Sequence, residues 1–117
     1  MSIAEISSLH GYVGIEIYNH TSALRQYVGN ADYIIDCVLR QGIKTYIFAS
    51  DDAHSDWDMF GGWIQVKAKE LKHEEIVKQI KAGNFYASRG PEIYDYGIED
   101  GKVYIDCSPC CWFYSIL

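Results

Sequence analysis

The stretch "NADYIIDCVLRQGIKTYIFAS", residues 30–50, sets a helical pattern directly against a strand. Ala31, Ile34, Ile35, Val38 and Leu39 recur at the spacing of one helical face. Asn30 is a suitable N-cap and Gly42 a suitable stop, because glycine takes the left-handed turn that ends a helix. Ile43 to Ser50 then reads as a strand, mostly apolar and rich in β-branched and aromatic residues. Upstream, "GYVGIEIYN" (residues 11–19) reads as another buried strand, with Glu16 and Asn19 near its exit. Strand, helix, strand with short joins is the order of a parallel βαβ unit, and an α/β fold follows. Such folds keep their chemistry at the C-terminal ends of strands. The residues that follow the second strand, "DDAHSDWD" (51–58), hold four aspartates and a histidine.

The rest of the chain changes character. "GGWIQVKA" (61–68) is a third short strand after a glycine pair, and "HEEIVKQIKAG" (73–83) an amphipathic helix with Ile76, Val77 and Ile80 inward. Neither Lys72 nor His73 can cap that helix as Ser or Asp would, and Glu74 and Glu75 compensate through the helix dipole. From Asn84 onward the pattern is antiparallel β structure. "IEDGKVYID" (98–106) is a hairpin with a type I′ turn at Asp100-Gly101. With 117 residues and no repeat or linker, the chain makes one small domain.

Composition narrows the function. Hydrophobic residues are 49% and charged ones 22%, a globular balance. The formal charge is −6, and no basic stripe interleaves with the aromatics, which argues against nucleic-acid binding. No apolar run approaches the ~18 residues of a membrane span. The first twelve residues lack the basic-then-apolar order of a signal peptide, so a cytoplasmic protein with reduced thiols is expected. "CSPCC" (107–111) contains a C-x-x-C spacing, open to a zinc or redox reading, but the second pair of a structural zinc site is missing.

Asp52 and His54 have D-x-H spacing on the turn after a strand. A carboxylate and an imidazole two residues apart can share a divalent metal, or can simply cap a solvated turn. Asp51 would point the other way and brace the turn by accepting backbone amides. Asp56 and Asp58 would then be loop surface or outer partners of His54.

"GIEIYN", "FASDDAH", "GGW", "GNFYASRGPEI" and "CSP" stand in an order and spacing that resemble the C-terminal half of PHP-domain proteins. That is the polymerase and histidinol phosphatase superfamily of metal-dependent phosphoesterases. The resemblance runs from about Gly11 to Pro109. It implies a partial PHP-type (β/α) barrel, its C-terminal half, with an antiparallel β tail. It also implies that Asp52 and His54 are ligands of a divalent metal, whether zinc, manganese or iron. Glu16 and Asn19 match a strand-end E-x-x-N of one branch and, with Arg89, would be substrate- or phosphate-binding residues; Arg89 in "YASRGPE" would clamp a phosphate or order its turn. The substrate of such a family is a phosphoester small molecule.

The family's opening H-x-H motif, its further histidines and its bridging glutamate precede the matching segment and are not in this chain. His10 lies where a His-Pro motif would fall, but Gly11 replaces the proline. His20 and His73 match no ligand motif and read as surface. The expectation is a single truncated PHP-like domain over residues 1–117, inactive alone. The missing ligands would come from a homo-oligomer or a complementary N-terminal chain. The alternative is a non-catalytic interaction or structural domain. Trp63 and Tyr86 read as core, and "CCWFYSIL" (110–117) as an apolar edge strand or a shortened reading frame.

Overall fold

The computed structural model describes residues 2–110; the expectation for the apolar terminus lies, from Cys111 on, outside them. The architecture is mixed α/β. In chain order the elements are α1 (Ile3–Ser8), β1 (Gly14–Asn19), α2 (His20–Gln26), α3 (Asp32–Arg40) and β2 (Tyr46–Ser50). They continue with β3 (Trp63–Val66), α4 (His73–Lys81), β4 (Phe85–Ser88), β5 (Ile93–Glu99) and β6 (Lys102–Cys107). The strands pair two by two, β1 with β2, β3 with β4 and β5 with β6, and among the described residues they close no barrel.

The expected βαβ unit is present. β1 and β2 run parallel from Gly14 opposite Tyr46 to Asn19 opposite Ser50, with an irregularity between Glu16 and Tyr18. α3 crosses between them and buries Ile35 and Val38, residues three apart on one face. Ile6 from α1, Tyr18 from β1 and Ala49 from β2 complete a small core. Val38 is fully enclosed, and its burial contributes about 2 kcal/mol. Phe48 of β2 packs tilted on Phe85 of β4 and Tyr46 meets the same ring edge-on, at centroid distances of 4.8 and 5.7 Å, and the two contacts tie the parallel pair to the next layer. Gly14 is required here because the Phe48 ring fills the space its Cβ would occupy.

Several local expectations change. Asn30 does not cap α3; it pairs with Tyr18, and the capping position falls to Ala31, which makes no side-chain cap. The Ala31 amide donates to the Ile17 carbonyl at 2.9 Å, so tertiary pairing with β1 overrides the capping preference of asparagine. α1 and α2 were not foreseen. The first is marked by a capping box, Ser2 with Glu5, and the second by Asn19, whose Oδ1 accepts from the Ser22 amide at 2.8 Å. Antiparallel structure begins at β3, which pairs with β4, upstream of the expected tail. Ile76, Val77 and Ile80 of α4 are only half-buried. The β5–β6 hairpin is as read, with Asp100 at φ 50° and Gly101 at φ 75°, both left-handed as a type I′ turn demands.

Candidate functional site

The ends of β1 and β2 lie side by side, so Glu16, Asn19, Ser50 and the acidic loop converge there. Asn19 is the hub. Its Nδ2 donates to Glu16 Oε2 at 3.1 Å and to Asp52 Oδ2 at 3.2 Å, while its Oδ1 caps α2. The Ser50 hydroxyl donates to the other Glu16 oxygen. One amide thus separates two carboxylates that would otherwise repel.

Each aspartate in the loop has its own solution to the charge. Asp51 accepts the amides of Phe60, Gly61 and Gly62 at 2.7–2.8 Å, the bracing role expected of it. Burial raises its pKa, but those amides and the nearby His20 outweigh this and hold it below the ordinary carboxylate value. Asp58 is not loop surface. Its side chain is 0% exposed, and it accepts from Arg25 at 2.9 Å and from the amides of His54 and Ser55 at 3.1 and 2.8 Å. Burial pushes the Asp58 pKa up, and the Ser55 amide, the Arg25 guanidinium and the His54 amide pull it down to about 2. The bond to His54 is made to the backbone, so Asp58 holds the loop rather than the imidazole. Asp56 is exposed.

Asp52 stands apart in conformation. Its φ is 51°, in the left-handed region that asparagine and aspartate tolerate better than other side chains. The His54 ring turns back so that Nδ1 lies 2.6 Å from the Asp52 carbonyl oxygen. A carbonyl can only accept, so Nδ1 carries the proton, and in the neutral ring that leaves the lone pair on Nε2. A backbone carbonyl on one ring nitrogen and an open lone pair on the other is the state of a metal-ligating histidine.

His20 is half-buried rather than on the surface. Its Nδ1 lies 2.9 Å from the Tyr18 hydroxyl, and its ring fills the space a side chain at Gly61 would need. The sequence signal was available: a histidine directly after the strand-end asparagine sits at the mouth of the acidic loop. Arg25 was missed because it is 33 residues from Asp58. Arg89 does not join Asp52 and His54. Its guanidinium lies 3.9 Å from the centre of the Tyr18 ring, at the rim of a cleft of about 600 Å³. Asn30, Asp32, Tyr86, Cys107 and Cys110 also line that cleft. Tyr86 and Trp63 are half-buried, and the Tyr86 hydroxyl accepts the Ile93 amide at 2.9 Å.

Among the described residues no group of three His, Cys, Asp or Glu side chains is placed to hold a metal ion. Nor is any helix there long and apolar enough to cross a membrane. No protein-family model, curated protein or solved structure matches the chain.

Proposed function

We propose that this chain supplies part of a divalent-metal site of the PHP type, with Asp52 and His54 as its donors. On this reading the α/β unit corresponds to the C-terminal half of a PHP-type barrel. The observation that supports it is the His54 ring, whose Nδ1 is committed to the backbone carbonyl of Asp52, the other proposed donor. The strained φ of Asp52 at the end of a parallel strand adds to it, since such outliers cluster at functional positions.

Two donors fit one edge of a metal site and fall short of the three protein ligands of a catalytic centre. Further donors come from a second polypeptide, either another copy or a complementary chain. A divalent cation, once bound, supplies Lewis acidity and a more acidic bound water. The chain's own residues do the positioning: Asn19 and Ser50 fix Glu16, Asn19 fixes Asp52, and Asp58 and Asp51 fix the loop that carries His54. Arg89, which makes no ion pair among the described residues, takes the anion-binding role that the resemblance implies.

Calorimetric titration of the purified chain with zinc or manganese tests the reading. Weak binding is expected, abolished by His54→Ala and by Asp52→Ala. Turnover of a generic phosphoester by the chain alone, lost in His54→Ala, would instead mean that the site is complete. If neither metal binds nor shifts the melting temperature, a non-catalytic interaction domain replaces this reading. That second reading is favoured by Asn19, whose amide is fully used by the fold.

A further inference from the structure

The cleft beside Arg89 has a feature unconnected with the metal reading: two of its lining residues are the thiols of a C-x-x-C sequence. Cys107 closes β6 opposite Ile93. The turn after it is fixed, because the Ser108 amide donates to the Glu92 carbonyl at 2.8 Å and the Glu92 amide donates to the Ser108 hydroxyl at 3.0 Å. Pro109 further limits the backbone, and Cys110 follows on the same cleft wall.

The two thiols are in unlike surroundings. Cys110 is exposed, whereas Cys107 is half-buried. Burial, then a hydrogen bond with the Cys110 thiol, pushes the Cys107 thiol above its ordinary pKa. Both side chains line the same cleft, three residues apart along the chain. Among the described residues no third donor is grouped with the pair.

We propose that Cys107 and Cys110 form a redox-active dithiol that exchanges with low-molecular-weight disulfides entering the cleft. The exposed Cys110 thiolate attacks one sulfur of the disulfide RS–SR, forming Cys110–S–S–R and releasing RS⁻. Cys107, having given up its proton, attacks the Cys110 sulfur and expels the second RS⁻. The protein loses two electrons to the small disulfide, and the two thiol protons leave on the two RSH products. Exposure decides the order of attack, because the nucleophile must be both ionised and accessible.

The test uses the full chain carrying Cys111→Ser, incubated with excess glutathione disulfide at mildly alkaline pH and mapped by mass spectrometry after digestion. The expected product is two hydrogens lighter, bridged between Cys107 and Cys110, and restored by dithiothreitol. Adding Cys107→Ser should stop the reaction at a glutathione adduct on Cys110. Adding Cys110→Ser should slow modification at Cys107 by about tenfold or more. A parent protein that stays reduced, that stalls as a stable Cys110 adduct or that bridges through Cys37 overturns the proposal. So do equal rates in the two single-thiol variants.

Discussion

The acidic loop after β2 and the β5–β6 hairpin divide polar and apolar residues in opposite ways, and the polar one is the better anchored. Residues 51–62 carry four aspartates, yet Asp51 and Asp58 alone gather five backbone amides and one guanidinium. The hairpin is built from tyrosine, isoleucine and valine, but Tyr96, Ile98 and Val103 are 72%, 74% and 54% exposed. Cross-strand pairing puts Tyr96 with Ile105 and Ile98 with Val103, so these side chains share one face, directed away from the described core. At its base the Ile93 amide donates to Tyr86 of β4, while the reciprocal pair of Glu92 with Ser108 only closes the ribbon on itself. A two-stranded ribbon without a covered face is marginal in water. The lesson is that satisfied charge can fix a segment more firmly than apolar content that finds nothing to pack on.

The comparison breaks most readily at Asp58. Asp58→Ala leaves the Arg25 guanidinium without its carboxylate and frees the amides of His54 and Ser55. The melting temperature should fall by on the order of 10 °C, more than for any hairpin substitution. Acid should reach the same bond. A carboxyl whose folded pKa is depressed stabilises the protein above its unfolded value of 3.8, and that contribution is lost as pH falls through about 2. Trp57, with the Arg25 guanidinium 5.1 Å from its ring centre, reports the event by fluorescence. Its emission should stay constant down to about pH 4 and change below it. In Arg25→Met the change should begin at higher pH.

Asp51→Ala comes next, with a loss of about 2 kcal/mol, since the Phe60, Gly61 and Gly62 amides lose a charged acceptor. Urea melts check the value. A loss as large as that of Asp58→Ala would show that burial of the charge matters less than the number of amides it holds.

Much of the parallel unit was legible because its signals are local and periodic. Ile35 and Val38 lie three apart and Gly42 ends α3; in the hairpin, likewise, Asp100 and Gly101 are residue types that take the left-handed conformation of its turn. Asp51 was also readable, since an aspartate just past a strand has nearby amides to accept. The unread parts depend on distance along the chain or on competition. Arg25 and Asp58 become partners only once α2 is placed over the loop. Asn30 has the side chain of a cap but spends its position on pairing with Tyr18. The candidate site was half legible: D-x-H spacing marks Asp52 and His54, whereas the left-handed turn and the ring orientation that link them need three dimensions.

Tyr86→Phe sharpens the hairpin side. It removes the acceptor of the Ile93 amide and should cost about 1 kcal/mol. Because that bond lies at the hairpin's base, amide exchange should accelerate along β5 and β6 while β1 and β2 remain protected. A uniform acceleration over the whole chain would mean that the hairpin opens only with global unfolding.

The smallest effect belongs to Ile98→Thr. In a packed sheet, replacing isoleucine with a polar residue exposes an unpaired hydroxyl to the core and costs several kcal/mol. Here the side chain is 74% exposed and stands opposite Val103, itself more than half exposed, so little apolar area changes. Threonine keeps the β-branch that suits a strand, and the backbone pairing of Ile98 with Val103 is untouched. The melting temperature should therefore move by no more than the equivalent of about 0.5 kcal/mol. A loss of about 2 kcal/mol or more would mean that in solution the apolar face of the hairpin is covered, and the contrast with the acidic loop would then be one of partners rather than of intrinsic anchoring.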